Sequence, residues 1–459
     1  IRAAFELPFD EGMAREAVLF MELMQSSESA AQRHIFFAER EVAKVPGLAK
    51  GTVKREINCG AVVGAGTMGG GIAMNFANAG IPVKLLEMKQ EFLDKGIALI
   101  RKNYENTAKK GRISMADVEK RMALIEPTLS YDDIKDVDIV IEAVFENMDV
   151  KKEVFKKLDS VCRPGAILAT NTSTLDVDEI ASVTGRPQDV IGMHFFSPAN
   201  VMRLLENVRG AKTADDVIAT VMSFSKRIGK IGAMVGVCDG FVGNRMLHQR
   251  TRESAFLVEE GASPEQVDKV LFDFGFPMGA FAMADMAGLD VGYKVREERR
   301  KAGKVEKRDS VWIDKIVEMG RHGQKTNAGV YNYEDGRTPI PDPVVKELIA
   351  ECAKEAGIEQ RAISDQEILE RCLYPMINEG AKILEEGIAA RPLDIDIIWI
   401  NGYGFPAYKG GPMFWADQIG LQNIVDAYTK YAKQLGDHYW QPAPLLAKLA
   451  KEGKGFYDL

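Results

Sequence analysis

Residues 64 to 69 read Gly-Ala-Gly-Thr-Met-Gly, between an apolar run at 59–63 and a helical run from about 68 to 79. This G-x-G-x-x-G turn restricts the chain more than any other feature. Gly64 permits a tight turn, Gly66 lets the backbone approach a pyrophosphate, and Gly69 lets helix and strand pack closely; the helix N-terminus, opening at Thr67 and Met68, then faces the anion. The next apolar run, 83–86, ends at Glu87, 21 residues after Gly66, where a carboxylate accepts hydrogen bonds from ribose hydroxyls. It also opposes the 2′-phosphate of NADP, by about 1–4 kcal/mol for charges ~4 Å apart, so NAD is the expected cofactor.

From Ile57 to about residue 237, short apolar runs at 59–63, 83–86, 137–142, 166–169 and 190–194 read as strands separated by helical stretches. Such alternation argues a parallel sheet with helical crossovers, hence an α/β Rossmann-type dinucleotide-binding domain over residues 56–237. After Cys238 strand signals vanish and the helical remainder repeats itself. Residues 253–261 (ESAFLVEEG) recur as 379–387 (EGAKILEEG), Gly275-Phe276-Pro277 recurs as Gly404-Phe405-Pro406, and Ala284-Asp285 with Gly288-Leu289 recurs as Ala416-Asp417 with Gly420-Leu421. The offsets of 126, 129 and 132 keep the order with small insertions, which predicts two duplicated all-α domains, at 238–344 and 345–459, parted near the Pro-rich stretch 337–343. Upstream, residues 13–45 read as one amphipathic helix stopped at Pro46-Gly47; residues 1–55 are too few for a domain, so this linker helix must dock on something else.

The 459 residues, 46% hydrophobic and 27% charged, provide material for about three globular domains. With 59 basic against 67 acidic residues the net charge is -8, so no global field draws nucleic acid or an anionic membrane, and an anionic ligand must be held locally. The five cysteines (59, 162, 238, 352, 372) lack metal or disulfide spacing and read as buried reduced thiols; no metal site is expected. No apolar run approaches membrane-spanning length, the start has no signal-peptide layout, and the end is not a peroxisomal address, so the expected compartment is the cytoplasm.

His194 falls at the end of the fifth strand, on the carboxyl edge where open parallel sheets bind ligands. Asn171-Thr172-Ser173-Thr174 follows another strand at that edge, and Glu206 comes 12 residues after His194. Hydride transfer from an alcohol needs a base for the hydroxyl proton, a donor for the oxygen and a group that holds the base, and these residue types suit the three tasks. Structural readings compete: Ser173 as a helix cap, Glu206 as a solvated carboxylate, and Asn244 as the cap of the next helix.

Together with GAGTMGGG at 64–71, VIEAVFEN at 140–147, His194-Phe195-Phe196-Ser197-Pro198 and Gly240-Phe241-Val242-Gly243-Asn244-Arg245, these residues resemble the L-3-hydroxyacyl-CoA dehydrogenase family. The resemblance covers about residues 56–335, in the family's order and with its 21-residue step from Ser173 to His194. The duplication and the leading helix with Phe36-Phe37-Ala38-Glu39-Arg40 resemble the multifunctional fatty-acid oxidation enzymes, in which an enoyl-CoA hydratase/isomerase domain precedes the dehydrogenase. The chain, which starts without Met, is therefore expected to be the dehydrogenase part of such a polypeptide.

The resemblance implies NAD-dependent oxidation of (3S)-3-hydroxyacyl-CoA to 3-oxoacyl-CoA, with His194 as general base and Glu206 holding its imidazole. Ser173 and Asn244 would bond the substrate, while Gly64, Gly66, Thr67, Met68, Gly69, Glu87, Val144, Phe145, Glu146, Lys151, Ser173 and Ser197 would meet the dinucleotide. Ser197 departs from the family's usual Asn. The partners implied are an acyl-CoA, the hydratase/isomerase domain and a thiolase. Single-copy relatives dimerise through the helical domain, so the second repeat, which lacks a counterpart of Asn244, is expected to be an internal scaffolding partner. In the basic stretch 101–112, Lys109 and Lys110 are candidates to clamp CoA phosphates, and 296–308 is expected to be a mobile charged loop. Two other readings are an inactive structural protein on this fold and a β-hydroxyacid dehydrogenase with a lysine base.

Overall fold

The computed structural model describes residues 2–301, 303 and 306–459. Eight strands form one sheet: β1 (Gly60–Val63), β2 (Val83–Leu86), β3 (Ile125–Thr128), β4 (Ile139–Glu142), β5 (Ile167–Thr170), β6 (Val190–Phe195), β7 (Leu204–Arg209) and β8 (Ile231–Gly236). Their spatial order is β3-β2-β1-β4-β5-β6-β7-β8. Neighbours run parallel except β6 and β7, which are antiparallel. β1, β4, β5 and β6 are buried at every position, as strands covered on both faces must be. The five strands read from the sequence are present. β3 was hidden by Pro127, which an edge strand tolerates, and β7 by the buried polar pair Glu206 and Asn207.

The single leading helix is instead two, α2 (Phe9–Met24) and α3 (Ser27–Glu41), behind a short α1 (Arg2–Glu6). The break falls at Ser26, whose hydroxyl accepts the Ser29 N–H and caps α3. None of the residues of α2 is buried, whereas α3 buries Ala31, Ile35 and Ala38. α3 docks on the second helical copy: His34 Nε2 lies 3.2 Å from Asp396 Oδ2, and its ring stacks on Phe414 at 4.4 Å. Helices α4 (Thr67–Asn78), α5 (Gln90–Lys109), α6 (Met115–Met122), α7 (Met148–Val161), α8 (Val177–Ala181) and α9 (Asp215–Arg227) belong to the sheet region, and α10 (Gly243–Glu259) follows it.

The duplication is legible helix by helix. α10 corresponds to Asp365–Glu385, Pro264–Phe274 to Pro392–Tyr403, Ala280–Ala287 to Pro412–Ile419, Leu289–Lys301 to Leu421–Leu435, and Trp312–Glu318 to Pro444–Glu452. Gly288 and Gly420 leave their helices in the same left-handed conformation, at φ +96° and +85°, which explains why glycine stands in both. Asp268 accepts the N–H groups of Phe281 and Ala282 at 2.8 and 2.9 Å, and Asp396 accepts those of Met413 and Phe414 at 2.7 and 3.2 Å, capping corresponding helices. The copies also exchange arginines reciprocally: Arg371 of the second pairs with Glu260 of the first, and Arg245 of the first with Glu386 of the second, each at 2.5 Å. The sequence offset between equivalent members is 126 in both cases.

Two compact units result, one reaching to Arg245 and taking in Ile383–Tyr403 and Ala407–Gln418, the other comprising Met246–Lys382, Gly404–Pro406 and Ile419–Leu459. The first takes in helices of the second copy with only the opening turn of α10, and the second holds helices of both copies. In the first, the Gly236 N–H at the end of β8 donates to the Ile388 carbonyl at 2.7 Å. The expected mobile loop at 296–308 is corrected: it is helical to Lys301, and Arg296 and Arg308 bond Asp314 and Glu260, each at 2.7 Å, while residues 302, 304 and 305 lie outside the described residues. The five cysteines are free thiols. Among the described residues no helix is long and apolar enough to cross a membrane.

Candidate active site

The glycine turn sits where β1 hands over to α4. Gly64 has φ +103°, and a Cβ there would stand 2.6 Å from the Ala143 carbonyl oxygen; a Cβ on Gly69 would overlap the Gly64 carbonyl. Gly66, in contrast, faces open space at the N-cap of α4, with no side chain capping the Thr67 and Met68 turn. Glu87 accepts the Ala65 N–H at 3.0 Å and the Met88 N–H at 2.7 Å, so its carboxylate is fixed beside the turn. Open helix N–H groups for a pyrophosphate and an anchored acid for ribose hydroxyls fit a dinucleotide.

Behind this cradle, β4 ends in Glu142, which is fully buried. It accepts Lys151 Nζ at 2.7 Å, the Val144 N–H at 2.8 Å and Thr170 Oγ1 at 2.7 Å. Lys151 lies beneath the surface between two carboxylates, its ammonium 3.3 Å from Glu146. Glu146 in turn accepts Thr172 Oγ1 at 2.6 Å and the Ser173 N–H and Oγ at 2.7 and 3.2 Å. Burial works against its charged form, but Lys151 and the Thr172 and Ser173 bonds outweigh that and hold its carboxyl below the usual range. Phe145 beside it is 85% exposed. Glu142 and Thr172 stood in the quoted stretches without a role and Thr170 was not singled out; the structure joins all three to the Lys151 and Glu146 network.

β6 brings His194 to the carboxyl edge, and antiparallel β7 sets Glu206 directly opposite it. His194 Nδ1 lies 2.8 Å from Glu206 Oε2, and Oε1 of the same carboxylate accepts the Gly243 N–H at 3.0 Å. Both residues are buried. Phe196 and Phe241 flank the imidazole at 4.4 and 5.8 Å; Phe241 holds a left-handed φ of +48°, a strained conformation for an aromatic residue. Asn171 Oδ1 accepts the Phe195 N–H at 2.8 Å, tying the Ser173 loop to the strand end that carries His194. Asn244 follows Gly243 on α10 and accepts the Tyr403 hydroxyl at 2.8 Å.

The chain returns from β6 to β7 through residues 196–203, where Ser197 is exposed. Buried Lys230 donates to the Ala199 and Met202 carbonyls of this return, each at 2.6 Å, and burial pushes its ammonium down to about 8. Lys109 and Lys110 are not brought to His194. α5 starts beside the glycine turn, with Gly96 against Ala65, and runs back until Tyr104 bonds Met74 and Asn78; the two lysines stand exposed one turn beyond.

A strand-borne histidine–carboxylate pair beside a dinucleotide cradle on a Rossmann-type sheet defines an NAD-dependent dehydrogenase. The chain belongs to the 3-hydroxyacyl-CoA dehydrogenase family: residues 60–238 match its NAD binding domain, and residues 240–333 and 368–457 match its C-terminal domain. It is 45% identical to the peroxisomal bifunctional enzyme of Danio rerio and 44% identical to that of Homo sapiens, over 99% of this chain and 65% of each relative. It thus spans just under two thirds of the length of these curated relatives. Among solved structures it resembles 3-hydroxybutyryl-CoA dehydrogenase from Escherichia coli, with TM-score 0.76, 26% identity and coverage of 87% of this chain and 99% of that one. It also resembles the dehydrogenase part of multifunctional enzyme 1 from C. elegans, with TM-score 0.67, 32% identity and coverage of 90% and 96%. The relatives' names place them in peroxisomes or glyoxysomes and give the cytoplasmic expectation no support.

Proposed function

We propose that this chain oxidises (3S)-3-hydroxyacyl-CoA to 3-oxoacyl-CoA in fatty-acid β-oxidation, with His194 as general base. The observation that carries the reading is the contact between His194 Nδ1 and Glu206. A carboxylate on Nδ1 keeps the proton on that nitrogen and leaves Nε2 to accept the 3-hydroxyl proton. As the O–H and C3–H bonds break and the ketone forms, the imidazole becomes cationic and Glu206 stabilises it. The Gly243 N–H keeps the carboxylate turned toward the ring. Ser173 and Asn244 supply donors to the substrate oxygen. NAD, when bound, supplies the hydride acceptor. Glu87 and the α4 N-terminus would hold its ribose and pyrophosphate, Met68, Val144, Phe145 and Ser197 would contact it, and Lys151 would act through Glu146.

The relatives are called bifunctional and are about half as long again as this chain, which supports reading it as the dehydrogenase part of a longer polypeptide. Its partners would then be a hydratase/isomerase domain that makes the hydroxyacyl-CoA and a thiolase that consumes the product. His194→Ala should lower acetoacetyl-CoA reduction by NADH about 10²–10⁴-fold, or about 3–5 kcal/mol of barrier. Near wild-type turnover in that variant would remove the base from His194.

A further inference from the structure

We infer that Tyr403, a residue of the second helical copy, positions Asn244 for the substrate. The inference rests on the reading of Asn244 as a substrate donor and adds a residue that the sequence motifs did not contain. The Tyr403 hydroxyl donates to Asn244 Oδ1 at 2.8 Å, which turns the amide so that its NH2 group is the end presented as donor. The ring fills the place of a side chain at position 243, because a Cβ on Gly243 would overlap it. Tyr403 therefore seats the first turn of α10, the turn whose Gly243 N–H holds Glu206. Its other edge meets Phe196 at 5.4 Å and 81°, and Phe196 lies against His194 at 4.4 Å. Trp399, one turn earlier on the same helix, stacks on Tyr403 at 4.6 Å.

The duplication shows what is special about this ring. Aligning Gly404 with Gly275 sets Tyr403 opposite Phe274, which packs on Phe276 and Phe405 at 5.7 and 5.6 Å. The second copy carries a phenol where the first has a plain ring, and the phenol oxygen is directed at Asn244. Packing requires only the ring. Tyr403 is accordingly a positioning residue, and the second copy completes the site as well as buttressing it.

The test is a double-mutant cycle in the full chain, with acetoacetyl-CoA and NADH as substrates. Asn244→Ala should lower kcat/KM for the acyl-CoA. Tyr403→Phe, which keeps the ring, should lower it about 2- to 10-fold, the worth of one net hydrogen bond, with the KM for NADH and the Tm unchanged. The double variant should be no slower than Asn244→Ala alone, since the phenol acts only through the amide. Wild-type kcat/KM in Tyr403→Phe, or losses that multiply in the double variant, would overturn the inference. Wild-type rates in Asn244→Ala would instead sink the underlying reading of Asn244.

Discussion

In the first helical copy Asp268 caps the helix Ala280–Ala287; in the second Asp396 caps Pro412–Ile419 in the same way. The arginine exchange repeats too, Arg371 to Glu260 and Arg245 to Glu386, each pair joining the copies at equivalent sequence positions. Two of the differences between the copies meet beside Gly243. The first has Gly243 and Asn244 where the second has Leu369 and Glu370, and Glu370 is occupied with Tyr431 and Lys430. The second has Tyr403 where the first has Phe274. What both copies keep is what each needs to fold and pair. These two changes meet at one point, one copy contributing the amide and the other the phenol bonded to it.

The comparison can be broken first at the shared arginines. Arg371 is 1% exposed, with Glu253, Glu260 and Glu367 around it, so Arg371→Met should cost about 3–5 kcal/mol by stranding buried carboxylates. A small loss in denaturant melts would show that the cluster does not hold the copies. Next come the caps: Asp268→Ala and Asp396→Ala should each cost about 1–3 kcal/mol with chemistry at the first copy intact, and unequal losses would mean the copies are less alike than their hydrogen bonds indicate. Phe274→Tyr asks whether a phenol is tolerated where none is used. A hydroxyl among Phe276 and Phe405 should cost about 1–2 kcal/mol of stability and leave kcat unaltered. Arg245→Met should cost less than about 1 kcal/mol, because Glu386 is nearly half exposed.

The smallest effect is one of pH. Burial raises the Asp268 carboxyl above its ordinary range against the bonds from Phe281, Ala282 and Tyr331. A carboxyl raised on folding binds more protons in the native than in the unfolded state, so its stabilisation is complete below about pH 4 and declines as pH rises through the folded value. The stability gap between wild type and Asp268→Ala should therefore narrow with rising pH, and a gap that widens would contradict the shift.

The glycine turn, Glu87 and strands β1, β2, β4, β5 and β6 were readable because their demands are local: a backbone conformation, a strand end, a run of β-branched residues. His194 and Glu206 were readable as types 12 residues apart, but not as a cross-strand pair, since β7 is interrupted by its own buried polar residues. Lys151 was named from its family motif, but its pairing with Glu142 was hidden for a related reason. A buried ion pair leaves no periodicity, only charges inside an apolar run. Tyr403 was within reach, because setting the two copies side by side puts it against Phe274; its target, 159 residues earlier, was not. The break at Ser26 was a cap overlooked inside a strong helical pattern.

The antiparallel turn-back of β7 on β6 has a consequence for how the gene can change. His194 and Glu206 meet only because residues 196–203 return the chain in one register, and Lys230 pins two carbonyls of that return. A slip of one residue would swing Glu206 to the opposite face and offer His194 a Leu205 or an Asn207 in its place. The length of this connection therefore bears on the proposed chemistry as the identity of the acid does, and an insertion or deletion there that shifts the register would break the His194–Glu206 contact.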